Sequence, residues 1–97
     1  MAVNDKQKRY LRGLAHTLKP VVMVGNKGLT ETVLAEVDNA LNHHELIKVK
    51  VSGAEKADRL DMINTIATTN DADIIMTVGH IVAFYRPAKE PAIKLPK

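Results

Sequence analysis

Two glycines three residues apart frame the segment with the clearest chemical potential in this sequence. Gly25-Asn26-Lys27-Gly28 follows an apolar run and precedes Thr30, a residue type that often begins a helix. Glycine lets the backbone turn tightly and lets a ligand approach without a Cβ in the way. The first turn of a helix adds unpaired N–H groups and the positive end of the helix dipole. With a lysine at its tip, this loop is predicted to hold phosphate groups.

Further cations are predicted to extend this phosphate site. Residues 1–30 carry six basic side chains against one acid, whereas residues 31–45 carry four acids and neither lysine nor arginine. Such segregation predicts one basic and one acidic side, and a basic side attracts polyanions such as RNA. The alternative for the basic side chains of the first helix and the turn after it is a helix face that is only solvated; these side chains are Lys8, Arg9, Arg12 and Lys19. The candidate contacts outside the loop are Lys8, Arg9, Arg12, Lys19, Lys48, Lys50 and Arg86.

The aromatic residues limit how RNA could be read. The sequence contains two tyrosines, one phenylalanine and no tryptophan, and a protein that stacks successive bases normally has more. Contacts are therefore predicted to go mainly to phosphate and sugar, with shape favoured over base sequence.

Catalysis, metal binding and membrane insertion find little support in the residue types. There is no cysteine, and Ser52 is the only serine, so a hydrolase using Ser52 is a weak hypothesis. His43-His44-Glu45 lacks a matching third ligand nearby and is expected instead to close a helix. No cofactor is expected. Without a membrane-length apolar run or a signal-like N-terminus, we expect a cytoplasmic protein.

Three helices and four strands are predicted to position these side chains. The helices cover residues 5–18, 31–43 and 55–69, and the strands cover 21–24, 46–51, 73–78 and 81–85. The sequence thus predicts one α/β domain over residues 1–97, with order αβαβαββ and a mixed four-stranded sheet. It does not reveal the strand order. Residues 87–97 are predicted to form an extended tail that docks through Ile93 and Leu95.

The apolar periodicity also predicts which side chains lie inward. The second strand alternates, which places Lys48 and Lys50 on a basic second face that is exposed to solvent. Leu60, Ile63, Ile66 and Ala67 are predicted to face inward from the third helix. The inward face of the first helix is predicted to hold Tyr10, Leu11, Leu14, Ala15 and Leu18.

Several short segments closely resemble the CRM family, named for chloroplast RNA splicing and ribosome maturation, and within it the bacterial stand-alone YhbY-type proteins. The resemblance spans about residues 6–95. It is carried by Gly-Leu-Ala-His at 13–16, Leu-Lys-Pro-Val-Val at 18–22, Gly-x-x-Gly-Leu-Thr at 25–30, His-Glu-Leu-Ile-Lys-Val-Lys at 44–50 and Tyr-Arg-Pro at 85–87. Residues 54–77 match only loosely.

The resemblance implies a fold similar to the C-terminal domain of translation initiation factor three, and RNA binding through the Gly-x-x-Gly loop and adjoining basic surface. It also implies a partner, large-subunit ribosomal RNA in precursor particles, and a role in ribosome assembly without catalysis. The alternative is a protein-interaction module that docks on a ribosomal protein through acidic helices bearing Glu31, Glu36 and Asp38.

Overall fold

The computed structural model describes residues 3–25, 27–52 and 55–97. Its elements are α1 (Asp5–Ala15), β1 (Pro20–Val24), α2 (Glu31–His44), β2 (Leu46–Val51), α3 (Lys56–Thr69), β3 (Asp73–Val78) and β4 (Ile81–Tyr85). The predicted element order and mixed sheet are confirmed. Local signals explain this success, because Asn4 caps α1 in a capping box with Gln7 and the Thr30 hydroxyl caps α2 by accepting from the Val33 N–H.

The four strands are ordered β1-β2-β4-β3 in one sheet. β1 and β2 are parallel, while β4 is antiparallel to both β2 and β3. The carboxyl ends of β1 and β2 and the β3–β4 turn therefore lie at one end of the sheet, which we call the loop end. The start of β2, the start of β3 and the end of β4 lie at the opposite end.

Each face of the sheet is covered by helix. On one face α2 and α3 pack on the larger apolar cluster, where Val37, Leu41 and Ile66 are fully or almost fully buried. On the other face α1 buries Leu11 and Ala15 against a second cluster that includes Tyr85. Ile93 and Leu95 of the tail pack against this second cluster, as the sequence predicts.

The first helix is shorter and less buried than predicted. It ends at Ala15 rather than near Leu18, and the Leu18 N–H donates to the Ala15 carbonyl in the turn that follows. The prediction that Tyr10, Leu14 and Leu18 belong to the core is wrong, since they are 43%, 38% and 38% exposed. The reason is that α1 touches the sheet along a narrow line through Leu11 and Ala15.

Two other burial predictions fail, one on β2 and one on α3. The alternation of β2 predicts Lys48 on its exposed basic face, but Lys48 is only 9% exposed because α1 lies over that part of the sheet. Lys50, nearer the loop end, is exposed as predicted. On α3, Leu60 is 48% exposed instead of buried, while Ile63 and Ile66 do face inward.

Candidate nucleic-acid interface

The Gly-x-x-Gly loop joins β1 to α2 at the loop end of the sheet. The Gly28 N–H donates to the Gly25 carbonyl at 3.0 Å, which closes a tight turn. Lys27 is exposed, and Asn26 lies outside the described residues. Gly28 has a φ of +71°, a conformation that favours glycine. A Cβ on Gly28 would lie 4.0 Å from the Met62 sulfur, so the conformation rather than crowding calls for glycine there.

Gly25 has no such structural requirement. Its φ is not positive, and a Cβ built on it meets no atom within 4 Å among the described residues. Neither backbone conformation nor internal packing therefore excludes a larger residue. What glycine provides here is an open backbone at the surface, which is the property that a closely approaching phosphate or sugar uses.

The strand register brings Lys50 next to the loop. Lys50 is the Cα partner of Met23, two residues before Gly25. Paired strands are about 4.8 Å apart and each strand residue adds about 3.3 Å, so Lys50 lies within about 10 Å of the loop. Met23, at 62% exposed, adds apolar surface between them.

The orientation of α1 adds two more cations to this side. Gln7 donates through Nε2 to the Pro96 carbonyl, so that flank of α1 faces the tail. The tail is itself held at the start of β2 by Glu45. At 3.6 residues per turn, Arg12 lies roughly 140° around the helix from Gln7. Lys8 and Arg12 therefore flank the sheet on the side facing the loop end.

The ammonium group of Lys48 adds to the positive charge of this surface, although most of its side chain is buried. Among the described residues no buried side-chain nitrogen or oxygen lacks a partner, and the Lys48 ammonium has no protein partner. The ammonium must therefore reach solvent while α1 covers the methylene groups. We define the basic face as the surface formed by Lys8, Arg12, Lys27, Lys48 and Lys50.

Three of the predicted contacts lie elsewhere. Lys19 precedes β1 and is separated from Gly25 by the length of that strand, roughly 20 Å. Arg9 is exposed and lies further around α1, on its solvent side. Arg86 follows β4 at the far end of the sheet. RNA contact by these three residues, as by those of the basic face, stays a prediction.

Arg86 has extensive protein partners. Its Nη1 donates to Asp38 Oδ1 at 2.9 Å and to the Asn70 carbonyl at 3.0 Å. Its Nη2 donates to the Asp38 carbonyl at 3.0 Å and to Asn42 Oδ1 at 2.8 Å. The guanidinium thereby ties β4 to α2 and to the end of α3, a structural role that sequence reasoning did not foresee.

Glu45 also has a structural role. It follows α2 with a φ of +60° and is 4% exposed. Its carboxylate accepts backbone N–H groups from Ala88 at 2.8 Å, Ala92 at 2.9 Å and Ile93 at 3.0 Å. Burial would raise the pKa of this carboxyl, but the three N–H donors outweigh burial and the pKa lies below its usual value. We call Glu45 with the tail that it binds, together with Arg86 and its partners, the junction.

The residues considered for metal binding and hydrolysis bond mainly to backbone. His43 Nδ1 lies 2.8 Å from the Asn39 carbonyl, within α2. The Ser52 hydroxyl donates to the Val24 carbonyl at 3.3 Å, and His80 Nδ1 lies 3.0 Å from the Val51 carbonyl. Within the described ranges no three histidine, aspartate or glutamate side chains are grouped to hold a metal ion.

Two polar residues at the loop end were missed by sequence reasoning. Lys56 begins α3 and His80 lies in the β3–β4 turn, and both are exposed. A signal for Lys56 was available, since a helix that follows a strand starts at that strand's carboxyl end. His80 required knowledge of the strand order, because only the pairing of β4 with β2 brings its turn to the loop end.

The charge segregation predicted from the sequence is arranged across the sheet. α1 carries four basic side chains and one acid, while α2 carries three acids and neither lysine nor arginine. Since α1 and α2 pack on opposite faces, the positive and negative helices point away from each other. No helix in the described part of the chain is long and apolar enough to cross a membrane.

The fold and this surface define a small α/β domain that presents a glycine-framed loop beside a basic face. The chain belongs to the CRS1/YhbY (CRM) domain family, whose model matches residues 3–86. This match confirms the resemblance that the sequence motifs indicate.

Relatives match over almost the whole chain. A Haemophilus influenzae protein named "RNA-binding protein" is 55% identical over 95 residues, covering 98% of this chain and 96% of its own. A Pseudomonas aeruginosa protein named "Probable RNA-binding protein" is 41% identical, covering 94% and 88%. The solution structure of a hypothetical Staphylococcus aureus protein superposes with a TM-score of 0.84 at 32% identity, covering 98% of this chain and 100% of that one.

Proposed function

We propose that this protein binds RNA in the cytoplasm without catalysing a reaction, and that it acts on precursors of the large ribosomal subunit. The basic face docks on phosphates, and the loop then holds the RNA backbone through Gly25 and Lys27. RNA binding is supported by the family and by the names of the relatives. The ribosomal target is supported by the resemblance to bacterial stand-alone CRM proteins. No cofactor, metal or small-molecule substrate is needed.

The observation that carries this proposal is the open backbone at Gly25 beside unpaired cations. No acidic side chain of the described residues pairs with Lys8, Arg12, Lys27 or Lys50. Unpaired cations retain their full attraction for a polyanion. At α2 itself, Glu31 puts a carboxylate in the first turn, so the loop and not the helix end supplies the positive charge.

The test is sedimentation of ribosomal particles from cells that produce tagged protein. We expect the protein to travel with large-subunit precursors and to be released when the extract is treated with ribonuclease. Gly25→Ala should fold normally, because a Cβ has space there, and should be lost from the precursor fractions. The matched control is Gly13→Ala, whose Cβ also meets no atom of the described residues within 4 Å and which lies on the exposed side of α1.

The alternative, docking on a ribosomal protein through acidic helices, gives different results. Association would then survive ribonuclease and fall when Glu31 and Glu36 are replaced by glutamine. Asp38 is less available for such docking, because its carboxylate already pairs with Arg86 at 2.9 Å.

For the loop itself, the result that counts is the association of Gly25→Ala with the precursor particles. If this variant associates as strongly as wild type does, the loop does not hold the RNA.

A further inference from the structure

The outer edge of β1 has no partner strand among the described residues. β1 is the first strand in the order β1-β2-β4-β3, so only one of its sides is paired. The Val24 carbonyl accepts from the Ser52 N–H, which shows that Val24 directs its backbone groups towards β2. Alternate residues of a strand direct these groups to opposite sides, so Met23 directs its N–H and C=O outward. An edge of this kind can accept another strand.

Two cavities flank this edge, one on each face of the sheet. On the α1 face an apolar cavity of about 450 Å³ is lined by Leu14, Leu18, Val21 and Ile93, with Lys19 at its border. On the α2 face a more polar cavity of about 350 Å³ is lined by residues that include Val22, Glu36 and His43. Val21 and His44 border both cavities.

We propose that β1 is a docking edge for an extended segment of another protein, which adds to the sheet as a fifth strand. Side chains of a strand alternate between the two faces, so they would enter the two cavities in turn. Apolar side chains fill the cavity beside Leu14 and Leu18. Small polar side chains face Glu36 and His43, and an acidic residue at one end pairs with Lys19.

The same geometry explains features that the RNA-binding proposal leaves unused. Leu14 and Leu18 are each 38% exposed and Val21 is 54% exposed, although they line one apolar surface. Lys19 lies beside that surface, roughly 20 Å from the loop by strand length. An extended apolar segment with an acidic end complements both features.

RNA fits this edge less well than a peptide does. The larger cavity is mainly apolar, and Glu36 on the other side repels phosphate. Nucleic acid also lacks the regularly spaced N–H and C=O groups that pair with a strand edge.

A second copy of this chain fits less well for electrostatic reasons. Antiparallel pairing of β1 with its own copy would bring Lys19 of one molecule towards Lys27 of the other, because Lys19 precedes the strand and Lys27 follows it. Two such like-charge contacts oppose the dimer. The observations therefore favour a different, acidic partner segment.

The test begins with random nine-residue peptides displayed on phage and selected against the full chain. The selected peptides should carry apolar residues at alternate positions and an acidic residue at one end. The best synthetic peptide is then titrated into isotope-labelled protein. We expect its binding to shift the amide resonances of Val21 and Met23 and to slow exchange of the Met23 N–H.

Variants at the edge separate this site from the basic face. Lys19→Glu should lower the affinity for the acidic peptide about tenfold or more through charge reversal. The same variant should bind more tightly to a peptide in which lysine replaces the acidic residue. Leu14→Ser with Leu18→Ser should abolish binding; both side chains are partly exposed, and a circular dichroism melt confirms folding. Lys27→Ala with Lys50→Ala should leave peptide affinity unchanged, so failure here and failure of RNA binding are distinguishable.

Three results would overturn the proposal. One is selected peptides that leave the Val21 and Met23 resonances unchanged. Another is a short single-stranded RNA, rather than a peptide, that shifts Leu18, Val21 and His44. The third is sedimentation that reveals a dimer of this chain formed through β1, with the Met23 N–H protected in the dimer.

Discussion

The junction and the basic face use charge in opposite ways. At the junction, Arg86 makes four hydrogen bonds through its guanidinium and Glu45 makes three through its carboxylate. On the basic face, Lys27 and Lys50 are exposed and have no partner among the residues that the structure describes. A charge whose hydrogen bonds are met inside the protein holds elements together, whereas a charge without partners is available to a ligand. Basic residue type alone therefore does not decide which cations are free for a ligand.

The largest expected effect comes from Glu45. Glu45→Gln removes the charge and turns an amide N–H₂ towards a backbone donor, while keeping the size and the strained backbone. We expect a loss of about 3 kcal/mol in the free energy of unfolding, measured by urea denaturation, because three charge-assisted bonds to part-buried N–H groups are lost. Affinity for RNA should be unchanged. The control is Glu90→Gln, at an exposed tail position; equal losses in the two variants would contradict the assigned role.

The same carboxyl predicts how stability depends on pH. Its folded pKa lies below the ordinary value of 4.5, so the ionised form stabilises the fold at every pH above that value. This contribution is lost as the pH falls below 4.5 and through the folded pKa. The gap in melting temperature between wild type and Glu45→Gln should therefore be full at pH 7 and narrow under acid conditions. A gap in melting temperature that widens as the pH falls would contradict the predicted direction of this pH dependence.

Arg86→Lys tests the other half of the junction. Lysine keeps the positive charge but cannot reproduce the planar fork that bonds Asp38, Asn42 and Asn70 together. We expect about 2 kcal/mol of lost stability and little change in RNA affinity. Arg9→Lys, on the exposed side of α1, is the control. If Arg86→Lys instead weakened RNA binding and spared stability, Arg86 would belong with the basic face after all.

The two loop glycines should respond differently to alanine. Gly28→Ala places a side chain at a φ of +71° and should cost about 1 to 2 kcal/mol of stability. Gly25→Ala should cost none, since its Cβ has space, yet it should weaken RNA binding. Thermal unfolding and RNA titration of both variants measure this. Equal loss of stability in the two would show that both glycines serve the turn.

The sequence predicted those parts of the fold that depend on local signals. The bounds of β2, β3 and β4 follow alternation and turn residues, and the start of α2 follows from Thr30. The glycine loop was recognised because its residues are adjacent in the chain. The same local signals gave the wrong end for α1. Pro20 sets the last position at which the helix can end, but it does not indicate that the helix already ends at Ala15.

The parts that could not be predicted depend on contacts between distant residues. The Glu45 carboxylate binds N–H groups 43 to 48 residues away, and a backbone donor leaves no mark on residue type. The burial of Lys48 depends on which face α1 covers, and the separation of Lys19 from the loop depends on strand direction. Strand order, which brings His80 to the loop end, has no signal in a single sequence.

The role of the basic face in RNA binding is tested by the salt dependence of RNA affinity. Lys27→Ala with Arg12→Ala removes two cations of the basic face, whereas Lys89→Ala with Lys94→Ala removes two exposed cations of the tail. For single-stranded RNA, the slope of log affinity against log salt should become shallower by about 1.4 in the first variant and stay at the wild-type value in the second. The same slope in wild type and in the Lys27/Arg12 variant would show that these two cations do not contact the RNA.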